Sequence, residues 1–193
     1  MNVADYVIKF LEEKGVTNIF SLTGGGAMYL NDAVAKSTKI KPTFMHHEQS
    51  CAMAATAYAK TTNTPGVLIV TSGCGSTNTI TGVLDAWQDS NPLIIISGQA
   101  NLNTTTEEHY NQTGNILRKY GVQEVDIIEI VKSITKYAKT LDNSEDVNYE
   151  LEKLWTLATT GRKGPVWLNI PLDIQSKEAN PNNTVSMMFK MAM

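Results

Sequence analysis

The sequence predicts an α/β protein in three layers, a six-stranded doubly wound parallel sheet with helices on both faces. Three observations carry that expectation. Apolar runs such as Val67-Leu68-Ile69-Val70 and Leu93-Ile94-Ile95-Ile96 are continuous rather than alternating, as in strands covered on both sides. Segments of helical period stand between such runs. Two glycine-bearing turns, Thr23-Gly24-Gly25-Gly26 and Thr71-Ser72-Gly73-Cys74-Gly75-Ser76, follow strands and open helices, where an open parallel sheet receives its ligands.

In chain order, residues 2–14 are expected to form an amphipathic helix, with Val3, Tyr6, Val7, Phe10 and Leu11 on one stripe and Gly15 as its stop. A short apolar strand over 18–22 leads into the first glycine turn, and 27–36 continues as a helix. Lys41-Pro42 introduces a strand at 43–45, followed by an alanine-rich helix over 49–60. The turn Asn63-Thr64-Pro65-Gly66 precedes the central strand at 67–70. After the second glycine turn, 78–89 reads as a helix, and 92–96 is another buried strand ending at Ser97-Gly98-Gln99. Residues 100–121 are rich in Asn, Thr and Gly and contain His109, so they are expected to wrap the surface as a functional loop. Periodicity returns over 125–131. A strand follows at 135–140, a helix at 144–160 ending at Gly161, and a last strand at 165–170 closed by Pro171.

At 193 residues and 42% hydrophobic, the chain can bury a full core as one domain, expected over 1–175. Residues 176–193, with Asn180-Pro181-Asn182-Asn183 and the methionine-rich end, are expected to be a linker-like, poorly ordered tail. Sixteen basic and nineteen acidic residues give a net charge of −3 without a basic run, which argues against nucleic acid as a partner. The first residues mix Asp5, Lys9, Glu12 and Glu13 among apolar ones, unlike a signal peptide, and no stretch has the length and apolarity of a membrane helix. A cytoplasmic location is expected. Cys51 and Cys74 lack metal-ligand spacing and indicate neither a disulfide framework nor a zinc site.

The candidate functional residue is Glu48, at the junction of a strand and the alanine-rich helix. A glutamate in a first helical turn gains about 0.3–1 kcal/mol from the macrodipole, so capping alone could account for it. The two glycine turns nearby point instead to a shared ligand edge. Phosphate binding at those turns lacks support, because no Walker lysine follows the glycines and residues 73–78 depart from GxGxxG spacing. Nucleophilic chemistry at Cys74 with His109 as base is a further option, though nothing in the sequence ties the two together.

Taken together, the residues resemble the N-terminal, pyrimidine-binding (PYR) domain of thiamine-diphosphate enzymes of the acetolactate synthase type, over about residues 3–175. The resemblance rests on Thr23-Gly24-Gly25, His47-Glu48-Gln49, the Thr-Ser-Gly-x-Gly-x-Thr-Asn turn at 71–78 and Asp89-Ser90-Asn91-Pro92-Leu93. Gln123-Glu124-Val125-Asp126 and Gly164-Pro165-Val166, leading to Ile170-Pro171-Leu172-Asp173, complete it. Thr23 and Cys74 stand where the family usually has proline.

The resemblance implies that Glu48 hydrogen-bonds a ring nitrogen of the aminopyrimidine of thiamine diphosphate. It thereby favours the imino tautomer that deprotonates the thiazolium carbon, ahead of attack on a 2-keto acid. It also implies that Gly24, Gly25, Thr71, Cys74 and Asn78 lie along the pyrimidine or its neighbouring substrate pocket, with Gln123 near the substrate side and His47 as a packed neighbour. Glycine at these turns could equally serve backbone geometry. The family holds diphosphate and Mg2+ through a separate domain bearing Gly-Asp-Gly, a sequence that does not occur here. A diphosphate-binding domain or subunit, in a homo- or hetero-oligomer, is therefore the implied partner, and the small-residue helix over 52–59 suits an interface with it. The chain alone is expected to be incomplete as an enzyme, and FAD, retained by some relatives, is not indicated. The alternative is a non-catalytic remnant or assembly subunit that keeps the fold.

Overall fold

The computed structural model describes residues 1–180. In chain order the elements are α1 (Val3–Glu13), β1 (Asn18–Ser21), α2 (Met28–Lys36), β2 (Lys41–Phe44), α3 (Glu48–Thr62), β3 (Gly66–Val70), α4 (Cys74–Thr77), α5 (Ile80–Gln88) and β4 (Leu93–Gln99). Then come α6 (Thr106–Thr113), α7 (Ile127–Val131), β5 (Tyr137–Thr140), α8 (Val147–Thr159), β6 (Pro165–Pro171) and α9 (Leu172–Gln175). The six strands form one parallel sheet in the order β2-β1-β3-β4-β6-β5. Strand order reverses between β1 and β3, so the turns that leave these two neighbours diverge and open a crevice at their C-terminal ends.

Every residue of β3, β4 and β6 is buried, which explains their unbroken apolar runs. Alternate side chains serve two cores. Val67, Ile69, Ile94, Ile96, Val166 and Leu168 meet α1, α2 and α8 on one face. Leu68, Val70, Leu93, Ile95 and Trp167 meet α3, α5 and α7 on the other. A chain of hydrogen bonds pairs polar groups inside the sheet: Trp167 Nε1 donates to Ser97 Oγ (2.8 Å), Ser97 Oγ to Asn169 Oδ1 (2.8 Å), and Asn169 Nδ2 to Thr140 Oγ1 (3.1 Å).

The predicted doubly wound sheet is the observed one, with local differences. The helix expected over 78–89 is α5, which starts at Ile80, and a separate short helix, α4, occupies 74–77 at the end of the second glycine turn. The proline in β2 is accommodated because β2 is an edge strand. The stretch expected as a surface loop at 100–121 holds α6, capped by Thr105 Oγ1 accepting from Glu108 N (3.2 Å) and closed by Gly114 at φ +72°. None of its residues is buried, so no apolar period announced it.

Of the segment expected to be a tail, residues 176–180 run back along the N-terminus. Val3 N donates to Lys177 O (2.9 Å), Ala179 N donates to Met1 O (3.0 Å), and Ala179 is buried. The methionine-rich end lies outside the described residues. Three of the five alanines of α3 are covered within the chain itself: Ala52, Ala55 and Ala59 are buried, while Ala54 is half-buried and Ala57 exposed. A Cβ on Gly82 of α5 would lie 2.6 Å from Ala52 Cβ, and one on Gly66 of β3 would lie 2.1 Å from Ala55 O. Small residues on both sides let these backbones approach.

Candidate functional site

The site is assembled from the ends of β1, β2 and β3. β2 runs out at Phe44, and His47 begins α3 as its N-cap, its Nδ1 accepting from Gln49 N (3.2 Å). Because His47 takes the capping role, Glu48 in the first turn is free to face the crevice. The residue is 8% exposed. Asn78, at the end of α4, donates from Nδ2 to Glu48 Oε2 (2.9 Å). Among the described residues Glu48 takes part in no ion pair, and no hydrogen bond ends on its Oε1. One carboxylate oxygen is therefore fixed by the protein and the other remains available to a ligand.

Thr71, the first residue beyond β3, joins the two glycine turns. Its Oγ1 accepts from Gly26 N (3.0 Å). A Cβ on Gly24 would lie 2.5 Å from both Thr71 Cβ and Thr71 Cγ2, so the space beside Gly24 is filled by Thr71. On the other side, a Cβ on Gly75 would lie 2.6 Å from Thr71 Cγ2 and 3.3 Å from Glu48 Oε1. Glycine at 75 thus leaves room for the carboxylate. Gly25, in contrast, has no heavy atom within 4 Å of where its Cβ would be, and its face is open.

The second turn also gathers Gln123. Gly73 has φ +59°, and a Cβ there would lie 2.2 Å from Gln123 O. Gln123 itself is left-handed at φ 54° and exposed, so a segment far along the chain lies against this turn. Cys74 is exposed at the start of α4. Cys51, one helical turn beyond Glu48, is fully buried; burial pushes its thiol up to about 11, and the Glu48 carboxylate adds to the shift. His109 packs against Tyr120 with ring centroids 5.0 Å apart and ring planes tilted by 53°, and no hydrogen bond among the described residues links it to Cys74.

The expected residues Gly24, Gly25, Glu48, Thr71, Cys74, Asn78 and Gln123 therefore occupy one edge, tied by the contacts from Gly26 through Thr71 and Gly75 to Glu48 and Asn78. Sequence reasoning did not single out the residues that hold the first turn from below. Gln175 Nε2 donates to both Gly26 O and Ile170 O at 2.8 Å, and a Cβ on Gly98 would lie 1.9 Å from Gly26 O. A glutamine just past the last strand, and a glycine between Ser97 and Gln99 at the polar end of β4, were the available signals.

The chain matches the model of the family described as thiamine pyrophosphate enzyme, N-terminal TPP binding domain, over residues 1–130. It is 36% identical over 179 residues to the chloroplastic acetolactate synthase of Arabidopsis thaliana, covering 93% of this chain and 25% of that protein. It is 35% identical to the acetolactate synthase large subunit of Haemophilus influenzae, covering 93% of this chain and 28% of that protein. The chain spans about a quarter of the length of the curated relatives it matches.

Proposed function

The chain belongs to the thiamine pyrophosphate enzyme family, matching its N-terminal TPP-binding domain, and from that premise we propose that it is the pyrimidine-binding part of an acetolactate synthase-like enzyme in which Glu48 activates the cofactor. The reaction proposed is decarboxylation of a 2-keto acid followed by carboligation. The observation that carries the proposal is the Glu48 carboxylate, nearly buried, unpaired with any cation among the described residues, and held by Asn78 through one oxygen only.

The residues fit the cofactor's pyrimidine. Glu48 Oε1 is the atom that would share a proton with a ring nitrogen, while Asn78 fixes the carboxylate's rotation and Gly75 keeps the space in front of it. Exclusion of water strengthens such a contact relative to its worth in solvent. Gly25 offers open backbone along the ring, with Gly24 acting through the seat it provides for Thr71. Cys74 and Gln123, at the far side of the second turn, would border the keto acid. When bound, thiamine diphosphate supplies the electron sink that takes up the bonding pair as carbon dioxide leaves. We assign its diphosphate and Mg2+ to a separate domain or subunit, because no Gly-Asp-Gly occurs in the chain.

The test supplies thiamine diphosphate, magnesium and a diphosphate-binding partner and compares the wild type with Glu48→Gln in hydrogen exchange at the cofactor's reactive carbon. The expected loss is about 10²–10⁴-fold, the usual contribution of a positioned acid or base. Equal exchange rates would retire the catalytic role and favour an assembly subunit.

A further inference from the structure

We infer that the opposite edge of the sheet carries a second site, for a nucleoside phosphate, built from Trp87, Lys136, Arg162 and Lys163. These four side chains line a cavity of about 220 Å³. Trp87 lies in the last turn of α5, Lys136 directly precedes β5, and Arg162 and Lys163 lie in the loop that leads into β6. All belong to the N-terminal ends of the strands, whereas Glu48 lies at the C-terminal ends.

Three cations meet here without a carboxylate. Among the described residues no ion pair involves Lys136, Arg162 or Lys163. Neutral acceptors hold them in place: Lys136 Nζ donates to Leu157 O and to Thr160 O (3.0 Å), Arg162 Nε to Ser90 Oγ (2.8 Å), and Lys163 Nζ to Asn63 Oδ1 (3.0 Å). The nearby acids of the α5 end, Asp85 and Asp89, are engaged by Lys60 at 3.4 and 2.8 Å. The terminal nitrogens of Arg162 and the spare hydrogens of Lys163 remain for a ligand.

The chemistry of the four residues selects the ligand class. The cluster carries more charge than one carboxylate offsets, whereas a phosphate ester brings close to two negative charges and three acceptor oxygens. Arginine presents the planar fork that suits phosphate. Trp87 is 38% exposed and offers a ring face for a base. Gly164 keeps the two parts together, because a Cβ there would lie 3.1 Å from Lys136 Cδ and 3.9 Å from Trp87 Cε3. The cavity is smaller than the roughly 300–1,000 Å³ of sites that engulf a whole drug-sized ligand, so the phosphate fills it and the base lies over Trp87.

The test titrates the full chain with ADP, adenosine and inorganic phosphate, following tryptophan fluorescence and equilibrium dialysis. ADP is expected to bind below millimolar concentration and to quench Trp87, with adenosine and phosphate each about tenfold weaker, a difference near 1.4 kcal/mol. Trp87→Phe should remove the fluorescence response and weaken binding in dialysis. The double substitution Arg162→Gln with Lys163→Gln should weaken ADP by at least about tenfold while the melting temperature stays unchanged. Absence of ADP binding at millimolar concentration would overturn the inference, as would phosphate binding as tightly as ADP or ADP binding indifferent to the double substitution. Glu48→Gln, run in parallel, should leave ADP binding intact, so this site and the cofactor site fail or stand separately.

Discussion

In the turn after β1, Gly24 and Gly26 have no positive φ and are small because Thr71 and Ser72 press against them; in the turn after β3, Gly73 sits at φ +59° with the Gln123 carbonyl where a side chain would begin. The first turn needs glycine for space alone. The second needs it for backbone hand as well, and it draws in a segment fifty residues further on. Thr71 belongs to the second turn by sequence and to the first by contact, so the two are mechanically one unit with Glu48 at its end. An edge built this way can hold a carboxylate in place without a salt bridge, which would otherwise satisfy the group and take it out of use.

The largest effect that sharpens this contrast is expected from Gly73→Ala. Gly73 sits at φ +59°, ψ −121°, the glycine position of a type II′ turn, where alanine costs about 1–3 kcal/mol of backbone strain, and displacing the Gln123 carbonyl adds a packing cost of about 1–3 kcal/mol. Urea unfolding should show a loss of about 2–6 kcal/mol, the sum of these contributions. A loss below about 1 kcal/mol would mean that Gln123 does not lock the second turn, and the contrast would break. A smaller change is expected from Thr71→Val, which keeps the methyl contacts with Gly24 and Gly75 and removes only the acceptor for Gly26 N. The net cost of that hydrogen bond is about 1 kcal/mol. Thr71→Ser, which keeps the hydroxyl, should preserve it. If valine proved neutral, the turns would be joined by packing alone.

The fold could be read from the sequence because the buried strands β3, β4 and β6 write their environment as unbroken apolar runs, and the glycine turns mark where each unit ends. The strand order could not, since which run lies beside which depends on pairings far apart in the chain. α6 was hidden for the opposite reason: an exposed helix of Thr, Glu, His and Asn has no core to report on. At the site, Glu48 stood out as an acid at a strand-helix junction, and Asn78 and Thr71 entered through motif. Their physical connection did not, because the bond from Asn78 to Glu48 spans thirty positions and the seat of Thr71 lies between two glycines of different turns. Sequence shows that a residue is small; it does not show which neighbour fills the space.

Gly25 separates the two uses of glycine most cleanly, and the smallest structural effect is expected there. Its φ is not positive and no atom lies within 4 Å of its would-be Cβ, so neither strain nor collision opposes alanine. It opens a short 3₁₀ turn, where alanine loses less chain entropy than glycine, so Gly25→Ala should change unfolding stability by no more than about 0.5–1 kcal/mol, in the stabilising direction. If the open face is where the pyrimidine lies, the added methyl meets the cofactor instead of the protein. Binding of thiamine diphosphate, measured by calorimetry with magnesium and the diphosphate-binding partner present, should then weaken while the melting temperature holds or rises. Weaker binding at unchanged stability would assign Gly25 to the ligand and leave Gly24, whose space Thr71 already fills, to the fold. Unchanged binding would place the cofactor away from the first turn, and that turn's glycines would then serve only the seating of Thr71.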